Sequence, residues 1–589
     1  MIRPSFSYQS NDPWSTTQGW QYGESGYSRT DNYSNSLSSG YNLRTSAIYR
    51  AKLGKDGRTI TLNGNVNYSD RTSDADSWSN QLGSLPDRPT IDPETGEWNP
   101  TDYFLPRYLR NLAPSSSYSL RGEFTYTEPV AKYAQVSLQY RAAYDHQERD
   151  KRSYETGSDF SIAGLLPDPT LSNAYESNYT TQRVGPGFRY SKDRNTFVAN
   201  VYYQHSVLDG QVTQGESEEI RHSYDDFTYF MMGQLMINRE NSLRLFINSS
   251  TSNPDVTSLQ GVYDLSDAQN ISHGNPTLNP SYSHRINFHY INSNVEKGRT
   301  FMWMFSLQST SDYIGTHTVQ NPSFTVDGET YTPNFYSTPV NLDGYLSLRT
   351  HLSYGFPIGF LRSNFNVMAG VSYTNTPSMY GMDDGGIDPE TGAISGGERN
   401  DTENMGYDFR AVLGSNISEN VDFTLSWNGT YNEATNSLST TNSKNRYFNH
   451  TASGDLKIVF PLGFTLTASA AYTQYLGFTN DYNDDYLLCN AYIGKKLFKN
   501  QRGEIMFGVN DIFNQNKSFV RTTGSGWTQN ATNSVIGRYF MVQFSFNLRR
   551  FGKKGSTNIR DYDGVEPDTR RRGMMGPGPG GPPPGFGHR

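Results

Sequence analysis

The sequence contains a single cysteine among 589 residues, so no disulfide can form within the chain. It also lacks long hydrophobic runs: 34% of the residues are hydrophobic, and no stretch approaches the roughly 18 apolar residues of a membrane-crossing helix. The mean hydropathy of −0.71 agrees with this. These absences exclude a disulfide-stapled fold and a helical membrane protein. The thiol of Cys489 lies between Leu487 and Ala491 in an alternating segment, where we interpret it as a small apolar side chain.

The chain also lacks an excess of positive charge and any local catalytic motif. Its 50 basic and 58 acidic residues give a net charge of −8, and the basic residues are scattered except at the extreme C-terminus, which argues against a nucleic-acid partner. The ten histidines are scattered too, and neither H-E-x-x-H nor G-x-S-x-G occurs. We therefore predict no enzyme, no catalytic residue, no metal site and no cofactor. A Ser/His/acid set assembled across strands stays open as the alternative.

What the chain does contain is a repeated alternation of apolar and small polar residues. A strand turns successive side chains to opposite faces, so each such segment presents one apolar row and one polar row. One segment of this kind places an apolar row of Val421, Phe423, Leu425, Trp427, Gly429 and Tyr431 against Asp422, Thr424, Ser426, Asn428 and Thr430. The pattern predicts an all-β, transmembrane, antiparallel up-and-down barrel, with lipid outside and a hydrated lumen inside. Aromatic residues at 14% fit the girdles of such a barrel.

The connections between these segments alternate between short turns and long loops. Residues 54–58 and 461–463 are examples of short turns, whereas residues 70–114 and 251–280 are examples of long loops. Sorting of this kind is typical of an outer-membrane barrel, with short periplasmic turns and long extracellular loops. We predict about twenty strands, at residues 2–10, 41–53, 59–69, 115–128, 133–148, 179–191, 196–212, 224–238, 243–250, 281–294, 300–312, 341–355, 363–375, 404–417, 421–435, 446–460, 463–476, 485–498, 503–513 and 536–549.

The two ends of the chain differ from this barrel, which we assign to residues 1–550. Residues 551–589 are basic and rich in Pro and Gly, a composition that cannot bury a core, so we predict a disordered periplasmic tail. The first residues lack the basic and apolar regions of a secretion signal. Together with the strand count, this predicts that further N-terminal sequence precedes the chain.

The long loops hold the candidate ligand-binding residues. Loops on a rigid scaffold carry much of the recognition chemistry of proteins, and exposed indoles can stack on a sugar or an aromatic ligand. The same side chains could instead pack the loops against one another. The candidate ligand-binding residues are the five tryptophans in or beside long loops, Trp14, Trp20, Trp78, Trp98 and Trp527.

Two motifs resemble those of a known family. Gly274-Asn-Pro-Thr-Leu-Asn-Pro280 resembles the loop-to-strand motif "GNP-x-L-x-P-E" of TonB-dependent receptors, although Ser281 stands where an acidic residue is common. Gly508-Val-Asn-Asp-Ile-Phe-Asn514 is similar to the "V-x-N-L-F-N" stretch in their penultimate strand. With the Gly/Pro-rich end, the chain most resembles the barrel part of the outer-membrane β-barrel family found in Bacteroidetes TonB-dependent receptors.

This resemblance implies a twenty-two-stranded barrel of which the first hairpin and the plug domain are missing. It implies uptake of a bulky nutrient across the outer membrane of a Gram-negative bacterium, such as a siderophore, a peptide or a glycan. The expected partners are outer-membrane lipid, the nutrient, and the TonB complex acting through the missing plug. A plugless pore, an adhesin or a structural barrel without energised transport is the alternative.

Overall fold

A computed structural model shows the chain as an almost entirely β protein. The structure describes residues 1–23, 26–85, 107–169, 171–212, 219–261, 263–264, 270–326, 328–382, 386–388, 391–415, 417–418, 420–438, 445–477, 484–498, 501–524 and 527–546. The predicted tail at residues 551–589 lies outside them. In this part of the chain, no helix has both the length and the apolar character needed to cross a membrane.

The described residues form thirty strands. The first ten are β1 (Ile2–Asn11), β2 (Trp14–Gly23), β3 (Gly26–Lys52), β4 (Thr59–Leu85), β5 (Arg107–Leu112), β6 (Ser115–Ala131), β7 (Ala134–Thr156), β8 (Asn173–Lys192), β9 (Asn195–Val212) and β10 (Glu219–Met236). The next ten are β11 (Asn241–Ser252), β12 (Tyr263–Asp264), β13 (Asn270–His273), β14 (Ser281–Asn294), β15 (Arg299–Ser311), β16 (Tyr313–Gln320), β17 (Phe324–Val326), β18 (Glu329–Tyr331), β19 (Phe335–Leu342) and β20 (Tyr345–Ile358). The last ten are β21 (Ser363–Met382), β22 (Glu398–Ser415), β23 (Val421–Asn436), β24 (Asn445–Val459), β25 (Phe464–Leu476), β26 (Asp484–Leu497), β27 (Gly503–Asn510), β28 (Ser518–Gly524), β29 (Trp527–Asn533) and β30 (Tyr539–Phe546).

Three short helical segments complete the described elements. One turn of α-helix, α1 (Val256–Leu259), lies in the connection after β11. Two 3₁₀ turns, Gly359–Leu361 and Pro461–Gly463, join β20 to β21 and β24 to β25.

Twenty of the strands form one antiparallel ladder in chain order, which confirms the predicted barrel. Each strand pairs with the one before it and the one after it along the series β1, β3, β4, β6 to β11, β14, β15, β20 to β27 and β30. These strands correspond one by one to the predicted set. The remaining ten short strands, together with α1, lie in the long connections.

Among the described residues, the two outermost strands of the ladder have one partner each: β1 pairs with β3, and β30 pairs with β27. Outward apolar side chains of these two strands are largely exposed, as Phe6 at 67% and Val542 at 68% illustrate. A further hairpin between these two edges stays a prediction.

The register sorts the side chains into the two predicted rows. Directly opposite residues of an antiparallel pair share a face, so one row can be followed from strand to strand. Beginning at Leu245 of β11, the row passes through Phe288, Phe305, Thr350, Val371, Tyr407, Tyr431 and Phe448. Ring contacts such as Phe288 with Trp303, at 4.9 Å between centroids, link neighbours on this face. We call this the outward row.

The opposite row is polar and forms what we call the inward row. Hydroxyl and amide side chains bond one another across the strands, as between Ser426 and Ser453 (Oγ to Oγ, 2.6 Å) and between Asn490 Nδ2 and Ser469 Oγ (3.2 Å). These polar groups are hydrogen-bonded to one another and point away from the apolar row. Water can therefore fill the lumen at little cost in free energy. The alternation in the sequence therefore defines the two faces of the barrel wall.

The short turns lie at one end of the barrel and the long connections at the other. At the short-turn end, Asn238 Oδ1 accepts hydrogen bonds from the backbone N–H groups of Glu240 (2.9 Å) and Asn241 (2.8 Å), which closes the β10–β11 turn. At the opposite end, which we call the long-loop end, β3 and β4 each run for 27 residues and pass well beyond the predicted limits. The extension was not predicted because both faces there are polar, so the apolar alternation is lost while the backbone ladder continues.

Candidate functional site

The long connections pack into a folded cap over the long-loop end of the barrel. Two buried apolar clusters hold it together. The first, which we call the helix cluster, contains Tyr175, Leu208, Val212, Ile220, Val256, Leu259 and Leu278. The second, which we call the aromatic cluster, contains Leu109, Leu171, Ile271, Phe324 and Tyr336. The aromatic cluster joins connections that are far apart in the sequence, whereas the helix cluster packs Val256, Leu259 and Leu278 of one connection against side chains of β8, β9 and β10. The cap therefore forms only when the barrel has brought these segments together.

Tyr336 is the centre of the aromatic cluster. It is fully buried, and its ring centroid lies 5.2 Å from that of Phe324, which in turn lies 5.8 Å from that of Tyr263. Its hydroxyl donates to the carbonyl of Gly392 at 2.6 Å, which ties the β21–β22 connection to β19. Burial raises the pKa of Tyr336, so the hydroxyl keeps its proton and this hydrogen bond over the physiological range.

The Gly274–Pro280 motif anchors the cap to the barrel. A Cβ at Gly274 would overlap the carbonyl oxygen of Gln260, so only glycine allows this close approach. Asn275 donates from its backbone to Ser258 O (2.7 Å) and from its side chain to Pro339 O (2.9 Å). Leu278 inserts into the helix cluster. The motif therefore joins α1, β19 and the start of β14.

The Gly508–Asn514 motif has a comparable role on the other side of the barrel. Asp511 is 2% exposed, and its carboxylate accepts hydrogen bonds from the backbone N–H groups of Gln515 (2.9 Å) and Asn516 (3.0 Å). Asn514 Oδ1 accepts from the backbone of Arg538 at 2.9 Å. These bonds close the start of the β27–β30 connection. Both motifs that resemble those of the receptor family therefore have a structural function.

A cavity of about 760 Å³ lies between the cap and the barrel wall, a size typical of ligand sites. The α1 segment, with Pro254, Asp255 and Val256, borders it from the cap. The wall contributes inward-row side chains of β3 to β9, among them Arg44, Ser119, Arg121, Asp145 and Ser177. Arg121 and Asp145 form an ion pair across β6 and β7 (Nη2 to Oδ1, 3.4 Å). The site therefore combines guanidinium, carboxylate and hydroxyl groups with apolar side chains such as Leu208 and Val256.

The five tryptophans do not converge on this cavity as far as the structure describes them. Trp14 is 69% exposed on β2, opposite Asn35. Trp78 is half-buried on β4, opposite Tyr33 and Tyr108. Both positions continue the outward row above Leu43 and Tyr68, so they face away from the lumen.

The other three tryptophans fall wholly or partly outside the described residues. Trp98 lies outside them altogether. Trp20 is opposite Arg29 on β2 and Trp527 is opposite Gly524 in the β28–β29 hairpin, but their side chains are outside the description. A role in ligand binding stays a prediction for all five. The cap residues were missed because they stand in connections without a long alternation, although buried apolar residues such as Val256, Leu259 and Leu278 were a signal.

No metal-binding arrangement appears in the described part of the chain, where no group of three or more His, Cys, Asp or Glu side chains could hold an ion. Cys489 is half-buried opposite Ala470, on the outward row of β26. That position agrees with the interpretation of its thiol as a small apolar side chain.

The cap should loosen when the pH falls. His317 of β16 is buried opposite Thr338, and burial lowers its pKa below the ordinary value near 6.5, despite the nearby backbone of Gly396. Between these two pKa values the unfolded cap binds more protons than the folded cap, so cap stability rises with pH and is lost as the pH falls below about 6.5. The amides of β16 and β19 should therefore have lower hydrogen-exchange protection factors, which are corrected for the intrinsic pH dependence of exchange, at pH 5.5 than at pH 7.5. His317→Gln should remove most of this pH dependence, and an unchanged dependence in that variant would assign it to other groups.

Comparison with known proteins supports the architecture. The sequence matches the model of the "Outer membrane protein beta-barrel family" over residues 51–392 and 362–547. A comparison with curated proteins found no match.

Several solved structures are distantly similar. One is described as "Copper transporter OprC" (9% identity, 92% of this chain and 79% of that chain, TM-score 0.41). A second is the RagAB peptide importer in a "closed-closed" state (11% identity, 82% and 72%, TM-score 0.39). A third is a double mutant of the Serratia marcescens hemophore receptor HasR with its hemophore HasA and heme (11% identity, 92% and 76%, TM-score 0.41). At these TM-scores, the similarity to the three structures supports no inference about the function of this chain.

Proposed function

The chain belongs to the outer membrane protein β-barrel family, and on this premise we propose that it is the barrel of a receptor that takes up a bulky nutrient. Membership places the chain in the outer membrane of a Gram-negative bacterium. The outward row faces lipid, the short turns lie in the periplasm and the capped long-loop end faces the medium.

The observation that carries the proposal is the folded cap above a polar lumen. A general diffusion pore works with an open mouth, whereas here two buried clusters hold the connections across the barrel end. An adhesin could use such a cap, but it has no need for a cavity of about 760 Å³ that opens between the cap and the inward row. A site at this place can bind a solute on its way from the medium into the lumen.

The transport step requires energy and a gate, because a wide polar lumen without a plug would leak. We propose that a plug domain outside this sequence fills the lumen and that the TonB complex acts through it. The nutrient is a siderophore, a peptide or a glycan, bound at the cap and released when the plug moves. None of these steps requires a catalytic residue in the chain.

Uptake by intact cells tests this function. Cells with and without the gene, each with and without TonB, are grown in a medium that contains peptides, oligosaccharides and ferric siderophores, and solute depletion is followed by mass spectrometry. We expect one solute class to persist in the medium when either the gene or TonB is removed. Depletion that needs the gene but not TonB would indicate a passive pore, and depletion that needs neither would indicate an adhesin or a structural barrel.

A variant pair ties uptake to the cap. Tyr336→Ala removes the centre of the aromatic cluster and should reduce uptake, because truncating a buried aromatic side chain typically costs about 3 to 5 kcal/mol. Leu166→Ala is the matched control, since Leu166 is 87% exposed in a loop at the same end. Equal uptake by both variants at equal surface amounts would argue against a role of the cap.

A further inference from the structure

One wall of the lumen has more guanidinium groups than carboxylates to pair with them. On the inward row of β3 to β8, at mid-height, the cationic side chains are Arg44, Arg121, Arg141 and Arg183, and the anionic ones are Glu123 and Asp145. Asp145 pairs with Arg121, and Glu123 pairs with Arg141. Neither Arg44 nor Arg183 forms an ion pair of its own among the described residues. The excess positive charge faces water inside the barrel.

The sharpest part of this excess is a pair of like charges. Arg141 of β7 and Arg183 of β8 are directly opposite each other in the register, an arrangement that normally destabilises a sheet. Glu123 supplies one negative charge near both of them, and it accepts hydrogen bonds from Arg141 Nε (at Oε2, 3.0 Å) and from Asn63 Nδ2 (at Oε1, 3.2 Å).

Arg183 is nevertheless held firmly in place. Its guanidinium carbon lies 4.2 Å from the centroid of the Tyr202 ring, a cation–π contact. The Tyr202 hydroxyl donates to Gln139 Oε1 at 2.7 Å, which orients the ring. Tyr202 can approach β8 because Gly185 has no side chain. A Cβ at this position would overlap the carbonyl oxygen of Val201 and lie 2.8 Å from the Tyr202 Cα. Stacking occupies the face of the guanidinium and leaves its N–H edges for another partner.

We propose that Arg141 and Arg183 form an anion-binding station in the lumen, and that the transported solute is anionic. This inference rests on the proposed function and adds the substrate class to it. The Arg44 and Arg121 side chains line the cap cavity and are the first guanidinium groups that the solute contacts. The Arg141–Arg183 pair lies next along the same wall. Two adjacent guanidinium groups match the paired oxygens of a carboxylate or a phosphate. The electrostatic free energy that it costs to place two guanidinium groups together is offset when a carboxylate or a phosphate binds between them.

Conductance measurements test the station directly. The purified chain is inserted into planar bilayers under a KCl gradient, and the reversal potential is measured, followed by block with citrate and, separately, with pyrophosphate. We expect anion selectivity and block by at least one of the two, and the stronger blocker distinguishes a carboxylate from a phosphate solute. Arg183→Gln should weaken the block about tenfold, which corresponds to one charge-assisted interaction.

The matched control removes the same charge from another part of the lumen. Arg285 of β14 also lies on the inward row and donates from Nε to Gln308 Oε1 at 3.0 Å. Arg285→Gln should reduce anion selectivity slightly but leave the block by citrate or pyrophosphate unchanged. Equal loss of block in both variants would show that the charge of the lumen acts as a whole, and the station would be rejected.

One further variant and one assay in cells keep the test decisive. If Arg183→Gln does not fold, as judged by heat-modifiable electrophoretic mobility, Arg183→Lys retains the charge but loses the paired N–H edges and should still weaken the block. In cells, Arg183→Gln should reduce TonB-dependent uptake without increasing passive leak. Increased leak with normal uptake would show that the arginines hold the plug instead, which overturns the inference. Uptake that does not need TonB would overturn the proposed function while leaving the block by anions intact.

Discussion

Arginine at Val371 is expected to destabilise the barrel by about 2 to 4 kcal/mol, the cost of a cationic side chain near the middle of the lipid-facing surface. Val371 lies near the centre of β21, on the outward row between Thr350 and Tyr407. Its direct neighbours on this row carry hydroxyl groups but no carboxylate that could neutralise a guanidinium. Urea unfolding of the chain in lipid vesicles, followed by heat-modifiable mobility, measures the change.

The control for this prediction is an arginine on the other face of the same strand. Thr374 faces the lumen between Ser347 and Asn404, where an added guanidinium would be hydrated. Thr374→Arg should therefore cost much less than Val371→Arg. A larger cost at Thr374 would show that the two faces of the wall are assigned the wrong way round.

Valine at Gly185 is expected to cost about 3 kcal/mol or more, because an added side chain there meets backbone atoms that cannot rotate away. The Cβ would overlap the Val201 carbonyl oxygen, so β8 and β9 would have to separate and lose ladder hydrogen bonds worth about 1 kcal/mol each. Tyr202 would also leave its place beneath Arg183, so the block by anions should weaken in any folded fraction.

Gly122→Val provides the matched comparison. Gly122 stands opposite Gly64 in the β4–β6 pair, and a Cβ at either position meets open space. The variant should be neutral or slightly stabilising, since valine favours strands and glycine does not. Equal destabilisation at both positions would contradict the close approach of β8 and β9.

The ladder strands could be read from the sequence because their signal is local. In a strand of the barrel wall, each side chain faces either lipid or water, and the two environments alternate with a period of two. The residue types of a row such as Val421 to Tyr431 therefore indicate which face it occupies. The short turns have equally local causes, as at Asn238, where one side chain closes its own turn. The predicted strand order was confirmed for this reason.

The cap and its cavity could not be read in the same way. Leu109, Ile271 and Tyr336 belong to three different connections, and no periodicity within any one of them indicates that they will meet. The two family-like motifs marked the right segments, but their function in joining α1, β19 and β14 appears only when the partners are in place. The register also turns Trp14 and Trp78 away from the lumen, which their residue type alone did not indicate, and their role in ligand binding stays a prediction.

The sequence by itself determined the class of fold, the two faces of its wall and the number of its ladder strands, because each of these depends on a residue and its immediate neighbours. Only the tertiary structure decided that the long connections form a cap, that a cavity lies beneath it, and that Arg141 and Arg183 share one place in the lumen. Those features depend on residues that are distant in the chain, and they meet because hydrogen bonding between successive strands curves the wall into a barrel.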